Sequence, residues 1–283
     1  MQPVPSLEAI ERFLADLATE SGVDAVSEAK RHRLRRAPED AVVIAEGEDI
    51  VAVAIAAPHR QGDGSDIWEL ETAVRRDMQF SAFEGSVLRA GLASVPTGVP
   101  VTVWTSRTTS SDALADLGFS PRRTLAYMVV ELPLRSGDVG VQDVRRFTWA
   151  DTEALVAINA RAFANHREAA ALDVEEFRSL TKEPWFSPEG IVVAPAEGPI
   201  SGFCWTKVHD NGDGEIYRIA VDPDRHGHGL GRRLTVGGFA HLAGVPGVVR
   251  GALWVDLANT IAVDLYERMG MVIDRTNTEY GRN

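Results

Sequence analysis

The chain has almost no cysteine. Cys204 is the single thiol in 283 residues, which excludes an internal disulfide and gives no sign of an oxidising compartment. Long hydrophobic runs are also missing. The longest, Ala41–Ala45, Ile50–Pro58 and Ala126–Val130, fall well short of the roughly 20 residues a membrane span needs. The opening "MQPVPSLEAIERFLADL" has no basic stretch leading into an apolar core, so no signal peptide is expected. Positive charge is scarce: 29 Lys and Arg stand against 41 Asp and Glu, a net charge of −12. That balance argues against a nucleic-acid groove. The basic run "KRHRLRR" (Lys30–Arg36) reads as one face of an exposed helix. These absences point to a cytoplasmic protein with neither a membrane nor a nucleic-acid partner, and a monomer is expected. At 45% hydrophobic residues, it has the means to build a sizeable core.

What is present is one plan used twice. At an offset of about 150 residues, "AVVIAEGEDIVAVAI" (Ala41–Ile55) lies over "IVVAPAEGPISGFCW" (Ile191–Trp205). Both read as strand, Glu/Gly turn and strand, a hairpin. "PVTVWT" (Pro100–Thr105) then matches "GALWVD" (Gly251–Asp256), and "ALADLGF" (Ala113–Phe119) matches "LYERMGM" (Leu265–Met271). Each pair is a strand followed by a short helix ending at a glycine, a common C-cap. Three matches in order indicate a tandem duplication. The boundary falls in the polar stretch Glu131–Phe147, giving domains at 1–138 and 139–283. A helix follows from Thr148, a suitable N-cap. Helices alternate with strands in each half, which predicts a mixed α/β layer fold, built twice.

In the second half, "GEIYRIAVDP" (Gly214–Pro223) is a β-branched strand stopped by proline. Next comes "DRHGHGLG" and then a helical run, "RRLTVGGFAHLAG". A strand, a glycine loop and a helix N-terminus make an anion site, where backbone amides and the positive end of the helix dipole meet phosphate. Gly229 and Gly231 permit close approach, so the loop predicts a pyrophosphate cradle. It lacks the Gly-Lys-Ser/Thr of a P-loop, and Asp-Pro-Asp-Arg-His separates strand from glycines, unlike a dinucleotide fold.

The spacing that fits is [Gln/Arg]-x-x-Gly-x-Gly/Ala after a "VDP", supported downstream by "NTIAVDLYERMG" (Asn259–Gly270). On these motifs the chain resembles the GNAT family of N-acetyltransferases. The resemblance implies two tandem GNAT acyltransferase domains and acetyl-CoA as co-substrate. Backbone groups of Ile219, Ala220 and Val221 would meet the acetyl and pantetheine portions. The amides of His226, Gly227, His228, Gly229, Leu230, Gly231 and Arg232 would take the pyrophosphate. Asn259, Thr260, Ile261, Ala262, Val263 and Asp264 would line the opposite wall. His226 stands where the family has Gln or Arg. "AFANH", "PWFSPEGIVV", "GFCWTKVH" and "GEIYRIAVDP" narrow the likeness to tandem members that acetylate the cysteinyl amine of a cysteine–glucosamine–inositol thiol. That acceptor is a small-molecule thiol-amine.

Glu215 aligns with the family's general base. A carboxylate on a mostly apolar strand is partly desolvated, which suits it to take a proton; the alternative is an ordinary strand-edge carboxylate. Tyr266 follows Asn259 by two helical turns and aligns with the general acid; the alternative is a core aromatic. Glu28, Glu168, Lys207, Glu215, Trp254 and Asp256 are the candidate acceptor contacts. "WVDLAN" departs from the family's "YVESDN"-like run at Trp254 and Asp256.

Three features are read as structural. Cys204 has no histidine at triad-like spacing and reads as a core thiol. "DNGDGE" (Asp210–Glu215) lacks the ligand positions of a calcium loop and reads as a hairpin turn. His226 and His228 have no partner in register, so no metal is expected. The first half has no glycine pair and no "VDP", and Leu114 occupies the place of Tyr266. It is expected to pack rather than catalyse. Two other readings remain: a tandem acetyltransferase for another small amine or a peptide N-terminus, and a non-catalytic acyl-CoA-binding protein.

Overall fold

The computed structural model describes residues 5–21, 24–60, 65–79, 82–105, 111–135, 143–164, 172–209 and 211–282. Two compact units emerge. One comprises Met1–His59, Asp66–Thr124 and Thr276–Asn283, the other Arg60–Ser65 and Leu125–Arg275. The division expected between residues 138 and 139 thus differs from these units, which assign residues 125–138 to the second and residues 276–283 to the first.

The first unit contains α1 (Leu7–Ser21), α2 (Glu28–Arg36), β1 (Ala41–Glu46), β2 (Asp49–Arg60), β3 (Asp66–Val74), α3 (Ala82–Ala93), β4 (Val101–Trp104), α4 (Ser111–Asp116) and the start of β5 (Ser120–Glu131). The expected hairpin is β1–β2, antiparallel from Ala41↔Ile55 to Glu46↔Asp49. β3 and β4 run parallel, paired from Trp68↔Val101 to Glu71↔Trp104. Beyond β4 lie residues 279–281 of the chain's last strand, antiparallel to it. Alternate strand residues face opposite sides. Leu70, Val87, Val103 and Leu114 form one apolar layer with α3 and α4. Ile10, Leu14, Leu34, Val53 and Ala73 form the other with α1 and α2.

The basic run is not simply a solvated helix face. Lys30 is 2% exposed, with its ammonium 2.9 Å from Glu69 and 3.9 Å from Glu71. Glu71 also accepts from the N–H and hydroxyl of Ser27, at 2.6 Å each. A buried lysine must be paired, and these carboxylates pin the N-terminus of α2 to β3.

The second unit continues β5 from Leu125. It adds β6 (Arg145–Arg146), α5 (Thr152–Ala162), α6 (Val174–Leu180), β7 (Ile191–Ala194), β8 (Gly202–Val208), β9 (Asp213–Val221), α7 (Leu230–Ala243), β10 (Arg250–Asp256), α8 (Thr260–Arg268) and the start of β11 (Val272–Gly281). Its strand order is β5-β10-β9-β8-β7-β6. Thr148 opens the helical segment as expected: its N–H and hydroxyl both bond Asp151, at 2.8 and 2.9 Å. Leu234, Phe239, Leu242 and Tyr266 pack one sheet face against α7 and α8. Leu155, Ile158, Phe177, Phe203 and Trp205 pack the other against α5 and α6. Both units therefore share helix–sheet–helix layering, as the repeated motifs predict. Among the described residues no helix is long and apolar enough to cross a membrane.

Cys204 is fully buried, and burial pushes its thiol well above the ordinary range, as suits a core thiol. It lies against α7 at Gly238, where an added Cβ would sit 2.4 Å from its sulfur. Gly238→Ala should lower stability in urea by about 1–3 kcal/mol through overpacking. Adding Cys204→Ala should recover part of that loss, so the two changes are expected to be non-additive.

Candidate active site

β9 and β10 begin as partners and then part. Their ladder runs from Arg250↔Asp213 to Leu253↔Ile216, while β9 continues to Val221 and β10 to Asp256. On its other side β9 stays paired with β8 from Gly202↔Val221 to Val208↔Gly214, with a register shift between Trp205 and Thr206. The shift leaves Tyr217 as the extra residue on β9. Such a bulge bends and twists its strand, and it lies where the strands diverge. Beyond it, Arg218–Val221 has no ladder partner on the β10 side among the described residues. In the first unit the ladder of β3 with β4 likewise stops at Glu71↔Trp104 while β3 continues to Val74, and what sets the second unit apart is the glycine loop that follows its strand.

The divergent strand leads into the glycine loop. Arg161 of α5 binds Asp222 at 2.5 Å and holds its carboxyl below the usual range, fixing the junction. Gly229 is the N-cap of α7 at φ +73°, with no side-chain cap and no acidic residue in the first turn. The first N–H groups of a helix have no intrahelical acceptor, so the amides of this turn suit an anion. A Cβ at Gly227 or Gly229 would meet nothing within 4 Å; the space above the loop is open. His226 turns its ring back, its Nε2 donating to Val221 O at 3.2 Å. Arg233 bonds Asp143 at 3.1 Å and His228 O at 3.2 Å.

Across the opening, Asn259 caps α8 through a bond from Ala262 N at 3.2 Å. Asp256 accepts from Ala258 N at 2.8 Å. Both side chains thus hold the turn between β10 and α8. Thr260 and Asp264 are exposed, Ile261 is 84% exposed, and Ala262 and Val263 are half-buried. Tyr266 is 6% exposed. Burial, with Cys204 next in weight, raises its phenol above the ordinary value, so it stays protonated.

A polar cluster lies on the opposite sheet face. Glu215 is 7% exposed and stands directly opposite Lys207 of β8. His209 Nε2 meets Glu215 Oε2 at 2.5 Å. The Lys207 ammonium lies 5.0 Å from the centre of the Trp185 ring, which packs against Tyr217 at 4.9 Å. Glu215 is level with Ala252, so Trp254, two residues on, shares its face. Trp254 packs on Tyr127 of β5 at 4.9 Å, and Arg275 lies 3.6 Å over Tyr127. Burial first, then the charge of Glu215, holds the Tyr127 phenol above its usual value.

Comparison with known proteins adds a decisive observation. The Acetyltransferase (GNAT) family profile matches residues 153–271. A protein of Actinosynnema mirum named mycothiol acetyltransferase is 34% identical over 286 residues, covering 96% of this chain and 94% of that relative. The chain belongs to the mycothiol acetyltransferase family of GNAT proteins. A Thermobispora bispora family member reaches 44% identity, but over 138 residues, 47% of this chain and 46% of its own length. With such relatives the match spans about half their length. Two solved structures share the fold: a GCN5-related N-acetyltransferase from Sphaerobacter thermophilus (TM-score 0.69, 21% identity, covering 98% of this chain and 93% of that one) and a tandem GNAT protein from the clavulanic acid biosynthesis pathway (TM-score 0.69, 14% identity, covering 97% and 94%).

Against this family frame, the structure brings Glu215, Lys207 and Trp254 onto one face, and it lines the strand opening with Ile219–Val221, the glycine loop and the start of α8. Glu28 belongs to the other unit, on α2, where it pairs with Arg35 at 3.4 Å. Glu168 lies outside the described residues. No group of three or more metal-ligating side chains occurs among the described residues. The turn expected over residues 210–215 is shorter than that: Asp213 already opens β9, and the bonds His209 N→Asp213 O and Gly212 N→His209 O, both 2.9 Å, close the link from β8. Sequence reasoning missed His209, Trp185, Tyr127 and Arg275. For His209 a signal was present: strand alternation puts residues 207 and 209 on the face of Glu215. Tyr127 and Arg275 carried none, since nothing local says which sheet their strands join.

The loop geometry separates its two glycines. Gly229→Ala forces an L-residue into the left-handed region and should destabilise by about 1–2 kcal/mol. Gly231 has no such constraint, with only Val221 at 4.0 Å, so Gly231→Ala should leave stability unchanged or raise it by up to about 1 kcal/mol. Chemical denaturation of both variants checks the contrast.

Proposed function

We propose that this chain transfers the acetyl group of acetyl-CoA to the cysteinyl amine of desacetylmycothiol, the cysteine–glucosamine–inositol thiol, giving mycothiol and CoA. The observation that carries the reading is the buried Glu215, set on the strand whose ladder opens beside an uncapped, glycine-led helix N-terminus. Near full-length likeness to a relative named mycothiol acetyltransferase supports the acceptor.

The residues present fit acetyl-CoA. The open space over Gly227 and Gly229 and the amides of the first turn of α7 suit a pyrophosphate. The unpaired edge Arg218–Val221 offers backbone groups to an amide-containing chain, and the start of α8 borders the same opening. Acetyl-CoA supplies an acyl carbon activated as a thioester.

The acceptor amine is mostly protonated at neutral pH and cannot attack until it loses a proton. Glu215 removes that proton, directly or through a water. A free N–H on the β9 edge donates to the carbonyl oxygen as negative charge develops on it. Tyr266, kept protonated by burial, gives its proton to the departing thiolate. Lys207 and Trp254, on the face of Glu215, contact the polar acceptor. Asp256 and Asn259 act mainly by holding the turn that borders the cleft. The first unit, whose third strand is followed by no glycine pair, serves as a partner domain rather than a second catalytic centre.

Three outcomes test this reading. Glu215→Gln should keep acetyl-CoA binding yet lower turnover by about 10²–10⁴, measured by mass shift of the desacetyl thiol; another amine preferred from a panel would overturn the acceptor. Gly231→Val should weaken acetyl-CoA binding by about 10–100-fold in calorimetry, without loss of the folded state. Titration of the wild type should give close to one tight acetyl-CoA site per chain, and two sites of equal affinity would contradict the asymmetry between the units.

A further inference from the structure

The role proposed for Glu215 leaves its nearest polar neighbour unassigned. Glu215 has two carboxylate oxygens, and a base must present one of them to the acceptor amine. Oε2 is already engaged: His209 Nε2 lies 2.5 Å from it. The contact follows from the hairpin. Lys207 is directly opposite Glu215, and His209, two residues further along the chain, lies on the same face diagonally across from it. The backbone bond His209 N→Asp213 O, at 2.9 Å, holds the turn that sets this diagonal. The imidazole is therefore held by the fold rather than by a mobile loop.

We infer that His209 is the positioning residue of the catalytic carboxylate. Its Nε2–H donates to Oε2, which fixes the plane of the carboxylate and leaves Oε1 to accept the amine proton. Held in this way, the carboxylate keeps one orientation while the amine approaches. His209 itself takes no proton from substrate; it acts through Glu215. Lys207 does not replace it, because its ammonium lies over Trp185. Tyr127, the other polar neighbour whose phenol responds to the Glu215 charge, is itself packed between Arg275 and Trp254.

This inference rests on Glu215 as the base, and the test keeps the two apart. His209→Ala should lower kcat by about 10–100-fold, the worth of a hydrogen bond to a charged group, with acceptor KM and acetyl-CoA affinity changed by no more than about threefold. His209→Gln, whose amide N–H reaches about as far as Nε2, should recover most of the lost kcat. In the Glu215→Gln background, His209→Ala should have no further effect, because the oxygen it positions no longer serves as a base. An unchanged kcat in His209→Ala would overturn the inference, as would a Gln variant no better than Ala. So would the same loss in both backgrounds, which would mark His209 as a general structural support. If Glu215→Gln alone keeps full turnover, the base assignment falls first and His209 with it.

Discussion

A strand that loses its partner on one side must find other hydrogen bonds for its backbone or offer them to a ligand. β9 is such a strand. Its ladder with β10 ends at Ile216↔Leu253, although both strands continue. The bulge at Tyr217 bends β9 away, and the next segment of chain is the glycine loop that leads to the start of α7. Opening, loop and helix end follow one another within a few residues. One local irregularity thus sets the direction of the backbone edge, the loop and the amides of the helix, with few specific side chains needed.

The two faces of the same sheet divide the remaining work. The α7–α8 side buries Tyr266 among apolar neighbours and keeps its phenol protonated. The other side gathers Glu215, Lys207, His209, Trp254 and Tyr127. β-Strand alternation separates these groups: within β10, Leu253 and Val255 go to the apolar layer while Trp254 joins the polar one. The proposed acid and base therefore sit in different environments although their elements adjoin the same strands.

Much of this was legible in the sequence. The repeated hairpin and strand–helix pairs announced the duplicated α/β plan, and Pro223 followed by Gly227, Gly229 and Gly231 marked the loop. Those signals are local, carried by period and by residues with special backbone needs. What stayed hidden depends on partners far along the chain. Lys30 looked solvent-facing because the sequence does not say that Glu69 and Glu71 would face it. Tyr127 and Arg275 lie on strands whose sheet neighbours are fixed only by the tertiary fold. Asp256 and Asn259 stood out as contact candidates by alignment, yet their oxygens cap neighbouring backbone N–H groups.

The passage of β5 and β11 from one unit to the other has a consequence for how the chain matures. The first unit pairs Thr102–Trp104 with residues 279–281, so that edge stays bare until those later residues have been made. The second unit needs residues 125–131 beside β10, made well before the rest of its sheet. The first unit is therefore closed by residues made after the whole of Leu125–Arg275, the main stretch of the second. Separating the halves at residue 138 would take residues 276–283 from the first unit and residues 125–138 from the second, leaving each short of a strand segment.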